Sequence, residues 1–149
     1  MENAWTDRAG AVGRKPKVLI VDDEPMLLDL LKAMLEDVGF AVATSTSAIA
    51  LPLIVRDETP DLILMDIAMP GLLGDQAVRA MRRSSLNARI PIVLHSGIDE
   101  DALGALVERS GADGYVPKDA GPRFVIAEVE RWMTERAPSE VVGEVVCVE

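Results

Sequence analysis

The stretch Asp61-Leu62-Ile63-Leu64-Met65-Asp66-Ile67-Ala68-Met69-Pro70-Gly71 decides the fold. Its apolar run, Leu62 to Met65, has strand length and no alternation. That is the pattern of a strand buried on both faces, in a parallel sheet under helices. Asp66 follows where the strand emerges, and Pro70 and Gly71 mark a turn. Acids often punctuate strand ends, so Asp66 alone is as readily a boundary as a functional group. A second stretch of the same form shifts the balance. Val18-Leu19-Ile20-Val21 ends in Asp22-Asp23-Glu24-Pro25. Three carboxylates at two strand ends would repel one another if those strands were neighbours. A divalent cation relieves such repulsion, and hard oxygen ligands suit a magnesium ion, Mg2+.

Working outward, Lys17 to Val21 reads as the first strand and Pro25 as a first helical residue. Leu27, Leu30, Leu31, Met34, Leu35 and Val38 then fall on one helical face, closed by Gly39. Phe40 to Ala43 is a second strand. Ser45 to Ser47 offer N-caps for a helix to about Arg56, with Pro52 expected to kink or shorten it. Beyond Asp66, Gly74 to Arg83 is a short helix burying Ala77, Val78 and Met81. Pro91 to Leu94 is a fourth strand, followed by His95-Ser96-Gly97. Asp99 to Arg109 is a helix with Leu103, Leu106 and Val107 on one side. Tyr115-Val116 is a fifth strand, followed by Pro117-Lys118. Pro122 opens a last helix with Val125, Val129, Trp132 and Met133 inward, and Pro138 stops it.

Strand and helix alternate five times, which implies a parallel sheet with helices on both faces. The expectation is an α/β, doubly wound, five-stranded sheet of order 2-1-3-4-5, whose switch point lies between strands 1 and 3. That crevice is where Asp22, Asp23 and Asp66 would meet. Ser96 follows the fourth strand and Lys118 follows the fifth, so both would face the same pocket. An acid pair, a third carboxylate, a hydroxyl and an ammonium suit phosphoryl transfer, which needs cations and donors around the transferred oxygens. A carboxylate is also a known covalent acceptor of phosphate. Each residue has a plainer reading: Lys118 as a surface ion pair, Ser96 as a cap, Glu24 as helix-start charge, His95 and Tyr115 as packing.

Composition bounds the rest. The chain has 149 residues, nearly half of them apolar, enough for one domain with a core. The expected division is a leader over 1–16, a folded domain over 17–136 and an acidic, valine-rich tail over 137–149. No run is long enough to span a bilayer, and no signal-type segment opens the chain, which argues for a cytoplasmic protein. The formal charge of −10 argues against non-specific nucleic-acid binding. One cysteine, Cys147, and one histidine, His95, argue against a disulfide or a zinc site.

At this point a resemblance is plain. Val21-Asp22-Asp23-Glu24-Pro25, Leu64-Met65-Asp66-Ile67-Ala68-Met69-Pro70-Gly71, Leu94-His95-Ser96-Gly97 and Gly114-Tyr115-Val116-Pro117-Lys118 resemble the motifs of bacterial response-regulator receiver domains. The resemblance covers about Lys17 to Arg136 and implies a flavodoxin-like receiver fold. It implies that Asp66 is the phosphoacceptor, loaded from a phosphohistidine on a sensor histidine kinase or a histidine phosphotransfer protein. Asp22 and Asp23 match the magnesium-holding pair, and the Ala68 carbonyl matches the backbone metal ligand. Ser96 matches the switch hydroxyl, Lys118 the phosphoryl-contacting lysine and Tyr115 the switch aromatic. The signal would appear on the helix after Ser96, the Tyr115 strand and the last helix. Two departures stand out. Serine replaces the threonine of many members, losing the stiff branched rotamer. Asp119 replaces a proline that many members join in a cis bond, which for a non-proline residue costs about 2.5–4 kcal/mol.

With only Ala137 to Glu149 after the last helix, the expectation is a stand-alone receiver that binds an unknown target protein or passes phosphate on. Val141, Val142, Val145, Val146 and Val148 suit an added strand or a homodimer contact. Two other readings stay open. One is a phosphate-independent scaffold. The other is an aspartyl-phosphate phosphatase, disfavoured because Ala68 stands where haloacid-type enzymes carry a second acid.

Overall fold

The computed structural model describes residues 14–67, 74–83 and 89–135. Trp5, Ala68, the Met69-Pro70-Gly71 turn, Pro138 and the 137–149 tail lie outside the described residues. The elements run β1 (Lys17–Val21), α1 (Pro25–Asp37), β2 (Ala41–Ser45), α2 (Leu51–Glu58), β3 (Leu62–Met65), α3 (Gly74–Arg83), β4 (Ile92–Ser96), α4 (Glu100–Ser110), β5 (Gly114–Pro117) and α5 (Pro122–Glu135). A 3-10 turn, Lys118–Ala120, joins the last two. The five strands form one sheet of order β2-β1-β3-β4-β5, all neighbours parallel. This is the order expected from the sequence.

Strand alternation divides the core into two layers. Leu19, Val21, Ile63, Met65, Ile92 and Leu94 meet α2, α3 and α4 on one face. Val18, Ile20, Leu62, Leu64, Val93 and Val116 meet α1 and α5 on the other. β1, β3 and β4 read as unbroken apolar runs because both of their faces are covered. The buried line of α1 is Leu28, Leu31 and Leu35, flanked by Leu27, Met34 and Val38. Leu30 is exposed, so the apolar face is rotated relative to the sequence reading.

β4 and β5 run past their expected ends, to Ser96 and Pro117, and two further boundaries differ from the sequence reading for local reasons. Gly39, at φ 110°, lets the Phe40 amide reach back to the Leu35 carbonyl at 3.0 Å, so β2 opens at Ala41 rather than Phe40. Ser45 and Ser47 spend their hydroxyls inside the following turn, where the Ser47 and Ile49 amides donate to them. The helix therefore starts at Leu51, and Pro52 falls in its first turn, where a missing N–H costs nothing and no kink arises.

At the end of the sheet remote from the acids, Arg82 closes the fold. Its guanidinium donates to the carbonyls of Gly111 (3.0 Å) and Ile90 (2.9 Å) and pairs with Asp113. Asp113 in turn accepts the Ile92 amide at 2.8 Å. One side chain thus ties the end of α3 to the starts of β4 and β5.

Candidate functional site

The site grows from the ladder that joins β1 to its neighbours. The Asp22 amide donates to Ser45 of β2 at 3.0 Å, and the Asp66 amide donates to Val21 of β1 at 2.8 Å. These bonds carry the strand pairing one residue past each strand and set the two aspartates side by side. Asp22, Asp23 and Asp66 each offer a carboxylate oxygen within 4.8 Å of the others. Asp22 and Asp66 are buried and Asp23 is exposed, so the cluster opens to solvent on one side. Asp22 Oδ1 accepts the Glu24 amide at 3.0 Å, a local turn that fixes its rotamer.

Lys118 supplies the counter-charge. Its Nζ lies 2.9 Å from Asp22 Oδ2, 3.2 Å from Glu24 Oε1 and 3.3 Å from Asp66 Oδ2. The ammonium is half-buried. Burial works against its charge, but the close contact with the Asp22 carboxylate and the nearby charges of Asp66, Asp22 and Glu24 outweigh it. Lys118 is therefore held protonated, above the usual lysine range. Asp22 Oδ2 touches the ammonium yet makes no hydrogen bond of good geometry, although it is fully buried. A buried carboxylate oxygen paired by charge alone is a place for a stronger cation. Three carboxylate donors, two buried and one exposed, fit magnesium in donor type and spacing.

Ser96 ends β4, is buried, and lies in register with Pro117, the residue before Lys118. Its Oγ accepts the Ile98 amide at 3.3 Å, which leaves the hydroxyl proton free to donate. Tyr115 faces the α3–α4 layer, in register with Leu94. By alternation Ser96, two residues past Leu94, stands on that same face. The Tyr115 ring passes 3.9 Å from where a Cβ on Gly104 of α4 would lie, so that glycine leaves room for it. Ala68 lies outside the described residues. No cis peptide bond occurs among the described residues, so Lys118–Asp119 is trans and leads straight into the 3-10 turn.

Two residues read as bland in the sequence belong to the site's surroundings. Glu24 precedes α1 but makes no side-chain cap; its carboxylate goes to Lys118 instead. His95 is buried. Burial first, and then the Lys118 charge, lower its pKa from 6.5 to about 4, against the opposing pull of Asp22 and Glu24. The sequence carried only one hint of either: both sit next to motif residues.

The model of the response regulator receiver domain family matches residues 18–130. Protein PilH of Pseudomonas aeruginosa is 36% identical over 102 residues, which cover 68% of this chain and 84% of PilH. The DNA-binding response regulator MtrA of Mycolicibacterium smegmatis is 32% identical over 131 residues, 87% of this chain but 56% of MtrA. Among solved structures, the chemotaxis protein CheY4 of Vibrio cholerae superposes with a TM-score of 0.73 at 24% identity. The match covers 79% of this chain and 98% of CheY4, a likeness of fold. Among the described residues no helix is long and apolar enough to cross a membrane. With the sheet order, the acid cluster and the family match in agreement, the chain belongs to the response regulator receiver domain family of two-component signalling.

Proposed function

We propose that this chain is a phosphorylation switch in which Asp66 accepts a phosphoryl group from a phosphohistidine on a sensor kinase or phosphotransfer protein. The observation that carries the reading is the convergence of Asp22, Asp23 and Asp66 on one point with Lys118 seated among them. An Asp66 carboxylate oxygen attacks phosphorus, the N–P bond of the donor breaks, and the imidazole leaves with the electron pair and takes up a proton. Asp22, Asp23 and Asp66 would hold magnesium, with the Ala68 carbonyl as a further ligand. When bound, that ion neutralises charge on the phosphoryl oxygens.

The chain's own groups do the rest. Lys118 is already charged and already beside Asp66, so it can turn to a phosphoryl oxygen without being recruited from solvent. Ser96 retains a free hydroxyl proton for another oxygen. As Ser96 moves toward the phosphoryl group it vacates the face it shares with Tyr115, and inward rotation of that ring would carry the change to α4, β5 and α5. The switch is a population shift biased by contacts to the phosphoryl group. The modified surface then binds a target protein, or the phosphoryl group passes on to a second histidine.

Intact mass after incubation with acetyl phosphate and magnesium tests this. The native chain should gain one phosphoryl group and Asp66→Asn none. If the native chain gains none, binds no beryllium fluoride and binds no magnesium, the phosphate-independent scaffold becomes the better reading.

A further inference from the structure

Lys118 has three N–H donors, and in the resting site its ammonium lies among three carboxylates, hydrogen-bonded to Glu24 and Asp66 and paired by charge with Asp22. The distances, 2.9 Å to Asp22, 3.2 Å to Glu24 and 3.3 Å to Asp66, show one close partner and two long ones. Charge-assisted N–H···O bonds close to about 2.7–2.9 Å when a partner is undivided. The ammonium is thus strung between acids rather than committed to one, and an incoming phosphoryl oxygen competes with them for it.

The three differ in what release costs. Asp22 is fully buried, and losing its counter-ion would leave a bare charge in the protein. Asp66 is the group being modified. Glu24 is 62% exposed at its side chain, so its carboxylate returns to water on release. Its side chain is not needed elsewhere, because it makes no cap on α1. The turn that aims it at Lys118 is held by its own amide on Asp22 Oδ1, so the two acids are set by one local structure.

From these contacts we infer that Glu24 is a positioning residue of the site, a latch that holds Lys118 across the pocket in the resting state and yields it to the phosphoryl group. This rests on the phosphorylation reading above. It makes Glu24 a brake: its pull on the ammonium opposes the turn toward the phosphoryl group each time Asp66 is loaded, and removing it frees a further Lys118 donor beforehand.

The test uses the full chain with Glu24→Gln and Glu24→Asp. Aspartate keeps the charge but shortens the reach by one methylene, so it separates pairing from charge. First, without metal, amine acetylation is followed by peptide mass, with Lys17 as internal reference. Lys118 should label faster in both variants than in the native chain. Second, the initial rate of phosphorylation by acetyl phosphate with magnesium should rise about two- to fivefold in both, the scale of a partly exposed ion pair. Unchanged labelling of Lys118, a rate at or below native, or a gain in Glu24→Gln alone overturns the latch. If the native chain takes up no phosphoryl group and binds neither beryllium fluoride nor magnesium, the phosphorylation reading has failed and the latch with it. If the native chain is loaded and the variants match it, only the latch has failed.

Discussion

His95 shows how much a single side chain in the second layer can cost. It alternates with Val93 on β4 and lies in register with Val116, on the face covered by α1 and α5. Buried there, and near the Lys118 ammonium, it stays neutral to about pH 4, whereas in the unfolded chain it protonates below pH 6.5. The folded pKa is lowered, so between those values the unfolded state binds more protons. Stability is then complete above about pH 6.5 and is lost as pH falls toward 4. Two and a half pKa units correspond to about 3 kcal/mol in full, of which about 2 kcal/mol is spent between pH 7 and pH 5. His95→Val, which puts a β-branched residue suited to a strand in its place, should flatten that part of the urea-denaturation profile. An equal slope in native and variant would show that the carboxylates alone set the acid limit. The sequence placed His95 on a buried strand correctly, but its charge environment depends on Lys118, 23 positions on in the chain. The same holds for Glu24, whose partner is 94 positions away. Local pattern shows where a residue stands, and a long-range partner decides what it does there.

At the scale of elements, periodicity was sufficient for most of the fold. The unbroken runs of β1, β3 and β4 announced strands covered on both faces, and the carboxylates at the ends of β1 and β3 marked the crevice. What escaped was chemistry shared between elements: the backward cap at Phe40, the serine turn before α2 and the Arg82 tie between α3, β4 and β5. The approach of α5 to β5 belongs with these. Gly114 opens β5 beneath Trp132, and a Cβ there would lie 2.6 Å from the indole Cζ2. Indole is large and rigid, and it carries Arg131 at 5.8 Å over its ring, so it cannot turn aside freely. Gly114→Ala should destabilise the domain by about 1–3 kcal/mol, the range for overpacking. It should also shift Trp132 fluorescence in the folded state. Trp132→Leu in the same chain should recover most of the loss. A Gly114→Ala variant as stable as the native chain would mean that α5 is not pressed against the sheet.

For the molecule as a whole, the site is a fault in the charge balance that folding creates and that a cation would repair. The chain carries a net charge of −10, and its fold draws Asp22, Asp23, Glu24 and Asp66 to one end of the sheet, with Lys118 as the shared counter-ion of Asp22, Glu24 and Asp66. In the unfolded chain the Asp22 pair and Asp66 are far apart in sequence and largely screened from each other. A divalent ion held by the proposed ligands binds the folded state alone and so adds to its stability by mass action. The gain is about 2.7 kcal/mol when magnesium stands at a hundred times its dissociation constant. The urea midpoint of the native chain should therefore climb with magnesium concentration and level off only logarithmically. General screening of a −10 surface would also raise it, so the control must keep the surface and change the site. Asp22→Asn does this: its amide oxygen still accepts the Glu24 N–H, while the charged ligand is gone. The climb should then shrink toward that produced by sodium chloride at equal ionic strength. If both chains respond alike, magnesium acts on the surface at large and the acid cluster is not its site.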